Sequence, residues 1–146
     1  MPSLNHVGLT VADLEESLGF YRDLVGMKEI GPVQEISGEW FDLLTENQGA
    51  DLRVAHLELA GLRLQLVEYV AAAGERLSLL HRHVGNPHLC IDVEDLEGRY
   101  ERIRADGRHK TSPLVTIAET AYRSFYVTDP NGVLVEFIQA GPPDPA

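Results

Sequence analysis

The chain reads as an α+β protein made of two tandem βαβββ modules, and three observations predict it. Residues 6–22, HVGLTVADLEESLGFYR, recur as residues 88–104, HLCIDVEDLEGRYERIR, so that His6 falls on His88, Val11 on Val93, Asp13 on Asp95, Leu14 on Leu96 and Arg22 on Arg104. The ends of the two copies repeat more weakly: GLRLQLVEY closes the first and NGVLVEF the second, each a glycine followed by an alternating apolar run that carries one glutamate, Glu68 or Glu136. Within each copy one stretch has helical spacing and the rest alternates with the period of strands. Self-similarity of this kind marks a pseudo-symmetric fold in which each half contributes like residues at like places.

The elements follow in order. Leu4 to Val11 alternates as a strand, and Asp13 opens a helix with Glu16 behind it in a capping pattern. Leu14, Leu18, Tyr21 and Leu24 or Val25 recur at helical spacing until Gly26 stops the run. Lys28 to Ile36 is expected as a strand, and the polar stretch from Gly38 to Asp51 as irregular. Leu52 to Leu59 and Leu62 to Val70 form a hairpin across Ala60 and Gly61. Module 1 thus covers residues 4–70, and residues 71–86, AAAGERLSLLHRHVGN, have no counterpart in either copy and serve as connector with room for a short helical turn. Module 2, residues 87–139, holds a strand from Pro87 to Val93 and a helix from Asp95 to Ala105 that buries Leu96, Tyr100 and Ile103. Strands near Leu114 to Ala118, Tyr122 to Thr128 and Val133 to Ile138 complete it, with a turn at DPNG. The tail, residues 141–146, is expected to be disordered, and residues 1–146 to form one domain.

Composition narrows the function classes. A chain of 146 residues with 44% apolar and 24% charged residues suits one globular domain. Against 12 Lys and Arg stand 23 Asp and Glu, a formal charge of -11 that disfavours a nucleic-acid partner. Arg53, Arg63 or Arg123 can still make a local basic spot for an anionic small molecule. No apolar run nears the roughly 18 to 20 residues of a membrane span, so no membrane partner is expected. The N-terminal MPSLNHVGLT lacks the features of a secretory signal, and the single cysteine has no internal partner, which together place the protein in the cytoplasm.

The repeated histidine carries the chemistry. Each half offers a His on its first strand and a Glu on its last, and two His with two Glu make a nitrogen and oxygen ligand set suited to divalent Fe, Mn, Co, Ni or Zn. Strand parity puts His6 on a face with Gly8 and Thr10, away from Val7, Leu9 and Val11, and His88 on a face with Cys90 and Asp92. Glu68 shares a face with Leu64 and Leu66, and Glu136 with Leu134 and Ile138, where an unpaired carboxylate is costly. His56, on a face with Val54 and without a repeat partner, is the rival ligand. The repeated acidic residues at 13, 15, 95 and 97 are accounted for by helix starts.

With the duplicated His strands, the paired Glu strands and FYVTDPNGVLVEF in hand, the chain resembles the vicinal oxygen chelate superfamily over roughly residues 4–139. That group includes glyoxalase I, methylmalonyl-CoA epimerase, extradiol dioxygenases, fosfomycin-resistance enzymes and bleomycin-binding proteins. The resemblance implies that the modules' sheets form a cupped mixed sheet, with His6, Glu68, His88 and Glu136 at the metal positions. HVGLTVADLEESLGFYRDLVGM and NQGADLRVAHLEL look most like methylmalonyl-CoA epimerases. The implied function is an isomerase, epimerase or lyase acting on a small substrate that chelates one divalent ion. Glu136 or Glu68 would serve as proton carrier, with Glu46 as an outer alternative. Tyr126, Asp129, Pro130, Gly132 and Glu136 match half of a ring-cleaving dioxygenase motif, but no histidine lies between His109 and Tyr126 to complete it. An Fe(II) dioxygenase is therefore the alternative enzyme, and a drug- or metabolite-sequestering protein the alternative without catalysis. A cupped sheet leaves edges to cover, which predicts a homodimer.

Overall fold

Helical and alternating segments of the sequence become two compact units in the computed structural model, which describes residues 1–141. One unit is Met1–Arg76 and the other begins at Leu77. The expected tail, residues 141–146, falls beyond the described residues except for Gly141.

In the first unit β1 (Val7–Val11) leads into α1 (Leu14–Gly19), which continues as a π-helical segment, Phe20–Val25. Asp13 caps α1 by accepting from the Glu16 N–H at 2.9 Å, and Gly26, at φ 93, ends the run in the left-handed region that glycine adopts without strain. Leu14, Leu18, Tyr21 and Val25 are buried, as their spacing requires, and Phe20 and Ser17 join them. The strand expected over residues 28–36 is two strands, β2 (Lys28–Glu29) and β3 (Gln34–Ser37), separated at Gly31, whose φ of 66 turns the chain. Then comes a helix that the sequence pattern did not announce, α2 (Glu39–Thr45). It is too short to show an amphipathic period, and tertiary contacts hold it. Phe41 packs on the cluster Ala50, Leu52 and Val54, and the Asp42 carboxylate accepts from the Gly49 and Ala50 N–H groups. The hairpin β4 (Asp51–Leu59) and β5 (Leu62–Ala71) turns at Ala60 and Gly61, both at positive φ, the geometry that matches strand twist. The sheet order is β1-β5-β4-β2, with β3 also on β4, and β1 runs parallel to β5.

The second unit repeats the plan in shorter form. β6 (His88–Asp92), α3 (Leu96–Asp106), β7 (Val115–Thr116), β8 (Arg123–Thr128) and β9 (Leu134–Gln139) give the order β6-β9-β8-β7, again with the first strand parallel to the last. Leu96 and Ile103 of α3 are buried, as are Phe125 and Val127 of β8 and Val135 and Phe137 of β9, and the half-buried Tyr100 meets Phe125 edge to face at 5.0 Å. The DPNG turn forms around Asp129, whose carboxylate accepts from the Asn131 and Val133 N–H groups at 2.8 Å each. Between β5 and β6 the chain makes turns and no helix.

Register makes the two units comparable residue by residue. Gly8 pairs with Gln65 and Val11 with Glu68, while Cys90 pairs with Glu136. Since Gly8 and Cys90 are equivalent in the sequence repeat, the equivalent of Glu136 is Gln65. Glu68 is equivalent to Gln139: the Leu14 N–H donates to Glu68 Oε2, and its repeat partner, the Leu96 N–H, donates to Gln139 Oε1 at 3.2 Å.

Candidate functional site

Each sheet has a face packed by helices and an open face, and alternation decides which side chains reach the open one. On β1 the apolar Leu9 and Val11 are buried while Gly8 and Thr10 are exposed, as is His6, one residue before the strand. On β5 Leu64 and Leu66 are buried, so Gln65 lies across the sheet, on the side of His6 and Gly8. His56 on β4 stands directly opposite Gln65.

These three residues form a polar group on the open face of the first unit. His6 Nδ1 donates to Asn5 Oδ1 at 2.7 Å, which leaves Nε2 as the ring nitrogen outside that bond. The His6 and His56 rings meet edge to face at 6.4 Å. Gln65 Nε2 donates to His56 Nε2 at 3.2 Å. Burial first, and then the charges of His6 and Arg63, hold the His56 pKa below the ordinary histidine value, in keeping with a neutral acceptor ring.

Glu68, expected with His6 at the metal position, is not in that group. It shares the helix-packed face with Leu64 and Leu66, opposite to His6. Its carboxylate is engaged by the first N–H of α1 and by Arg53, 3.8 Å away. The free donors at a helix N-terminus and the positive end of its dipole stabilise a carboxylate there without any metal. Glu46 sits exposed just past α2, at φ 52, where its backbone N–H closes the helix onto Asp42.

The second unit gathers a richer set. Glu136 Oε1 accepts from the Ser124 hydroxyl at 2.6 Å and Oε2 from the Tyr126 hydroxyl at 3.2 Å, while His88 Nε2 lies 4.0 Å from Oε2. His88 and Glu136 are therefore brought together as expected from the strand pattern. The ring of His81, from the connector, lies tilted 5.6 Å from that of His88 and edge to face 5.6 Å from that of Tyr126. Partial burial, and then the neighbouring Glu136, push the Cys90 thiol up to about 11 and raise the Tyr126 phenol, so both stay protonated as donors toward the carboxylate. Cys90 is exposed.

Among the described residues no three His, Cys, Asp or Glu side chains form a metal-holding cluster. Each open face instead offers two equivalent donors, His6 with Gln65 and His88 with Glu136. Their chemistry, imidazole nitrogen with amide or carboxylate oxygen, fits a divalent ion of intermediate hardness. Gln65, Ser124 and His81 escaped the sequence reading. Gln65 could have been found by aligning the last strands through their pairing to the His strands, because the glutamates themselves align three residues out of register.

The sequence pattern of the Glyoxalase/Bleomycin resistance protein/Dioxygenase superfamily matches residues 3–137. The chain belongs to this superfamily. A relative, the 2-epi-5-epi-valiolone epimerase of an Actinomyces species, is 30% identical over 97% of this chain and 82% of its own. Among solved structures, a glyoxalase family protein from Bacillus cereus superposes with a TM-score of 0.84 at 17% identity, over 97% of this chain and 96% of that one. A fosfomycin resistance protein from Listeria monocytogenes, complexed with Mn(II) and sulfate, superposes with a TM-score of 0.59 at 24% identity, over 99% and 96% of the two chains. Both likenesses show the glyoxalase fold that the tandem βαβββ order predicts.

Proposed function

We propose that this protein is a divalent-metal-dependent isomerase or epimerase that moves a proton on the carbon next to a carbonyl of a small substrate. The observation that carries the reading is the repetition of one donor pair at one register position in each unit: His6 with Gln65, and His88 with Glu136. Each pair joins an imidazole nitrogen to an amide or carboxylate oxygen, the donor type that a divalent ion with open substrate positions takes. The epimerase activity of the Actinomyces relative and the Mn(II) in the Listeria protein support the same chemistry.

A bound Co, Ni, Zn, Mn or Fe ion would supply Lewis-acid polarisation of the substrate carbonyl. The rest falls to side chains. His6 offers Nε2 because Asn5 occupies Nδ1, and His88 holds its ring beside Tyr126 and His81. Glu136 is the proton carrier: hydroxyls on both oxygens fix its plane while lone pairs remain for a proton. Glu46 is the alternative base, and Glu68 is assigned to the fold. Substrate binding at an open sheet face of an acidic protein draws on Arg63, which lies near His56.

The test is solvent exchange. In deuterated water the Co(II)-loaded protein should wash deuterium into one of three substrates without consuming oxygen: 2-epi-5-epi-valiolone, a 2-methylmalonyl thioester or a hemithioacetal. Glu136→Gln should slow that exchange by roughly 10² to 10⁴, the span of general acid–base catalysis. Glu46→Gln should leave it within a few-fold. Oxygen uptake with a catechol and Fe(II), with no exchange on any of the three, would instead establish a dioxygenase in which Tyr126 assists. Tight binding of a planar drug with neither reaction would establish sequestration.

A further inference from the structure

A glutamine is an ambiguous ligand, since its amide presents an oxygen that can bind a cation and a nitrogen that cannot. Something must hold the oxygen outward. In the first unit the amide nitrogen of Gln65 donates to His56 Nε2, 3.2 Å away across the β4–β5 pair. An amide nitrogen carries only protons, so His56 Nε2 is the acceptor and its ring proton sits on Nδ1. The amide oxygen consequently turns the other way, toward β1. It lies 3.7 Å from where a side chain on Gly8 would begin, beside the strand that His6 precedes. The second unit has the same construction. Tyr126 occupies the position opposite Glu136 that His56 occupies opposite Gln65, and its hydroxyl holds Glu136 Oε2 at 3.2 Å.

We infer that His56 is a positioning residue for Gln65: by accepting the amide N–H it commits Oε1 to the cation side and makes a neutral glutamine an oxygen donor paired with His6. The inference rests on the proposed metal role of Gln65. The use of a partner on the next-to-last strand to aim a last-strand donor is common to both units. The chemistry differs because the donors differ. An amide needs an acceptor to select its oxygen, whereas a carboxylate with two like oxygens needs only a donor to fix its plane.

The experiment is a Co(II) titration of the full chain by calorimetry, with the visible absorption of the bound ion as a second readout. His56→Phe keeps the ring and removes the acceptor, and should weaken Co(II) binding by about 10- to 100-fold, as loss of an outer partner does. His56→Gln restores a carbonyl acceptor and should recover most of that loss. In a Gln65→Glu background, where either oxygen can face the ion, adding His56→Phe should change affinity by less than about threefold. Should His56→Phe fail to fold, His56→Met against His56→Gln makes the same comparison between a poor and a good acceptor of like volume. Wild-type affinity in His56→Phe, or an equal loss in the Gln65→Glu background, overturns the inference. Gln65→Ala separates the two levels: unchanged Co(II) affinity there sinks the metal site itself, while a loss there with none in His56→Phe sinks only the positioning role.

Discussion

Glu136 shows how much one carboxylate's neighbours decide. Ser124 is buried, and its hydroxyl has Glu136 within 2.6 Å, so the carboxylate that a sheet face would otherwise penalise is compensated before any ion arrives. Cys90 feels the same charge. A thiol pushed up to about 11 is almost wholly protonated at pH 8, where an ordinary cysteine is already partly thiolate. Alkylation of the metal-free protein by iodoacetamide should therefore be slow at pH 8 and keep rising toward pH 11. Glu136→Gln removes the nearby negative charge and should move that profile to lower pH. A rate that levels off near the ordinary thiol pKa would show that neither burial nor Glu136 acts on Cys90. Its place after the turn is what singles out Glu136 as a candidate in the sequence. Its hydroxyl partners came from β8, a strand whose register the sequence does not state.

At the scale of elements, the last strand of each unit carries two polar positions with opposite duties. Gln65 and Glu136 face the open side, and Glu68 and Gln139 reach the first N–H of a helix. Removing that contact by Glu68→Ala leaves a helix donor without its partner and should cost about 1 kcal/mol, the usual scale of a lost cap, or a few degrees in Tm. Glu68→Gln should melt close to the wild type, because Gln139 already performs this task with an amide and the Arg53 pair at 3.8 Å adds little near the surface. Co(II) affinity should be the same in both variants, and a tenfold loss in Glu68→Gln would return Glu68 to the metal. The confusion between positions 65 and 68 has a physical origin. Glutamate is the residue type that both duties accept, so a shared letter in two last strands is weaker than a shared register.

At the scale of the molecule, β1 and β6, the strands that follow or carry the paired histidines, each end their sheet, and such edges invite pairing unless covered. A homodimer remains the proposal for their protection, and light scattering well above micromolar concentration should give twice the mass of the chain; a monomer mass would sink it. His88→Ala should at the same time lower Co(II) affinity by orders of magnitude with little change in melting, since the proposal gives this exposed side chain to the metal and it is no part of the core. The sequence by itself determined the duplicated plan, the helix starts at Asp13 and Asp95, the hairpin at Ala60 and Gly61, and the open-face placement of both histidines, because period, capping and turn chemistry are local properties of the chain. Only the tertiary structure decided that α2 forms, that Gln65 stands where Glu136 stands and that His56 and Tyr126 flank them. Those depend on which strands lie side by side and in what register, which is set by contacts between residues far apart in the chain.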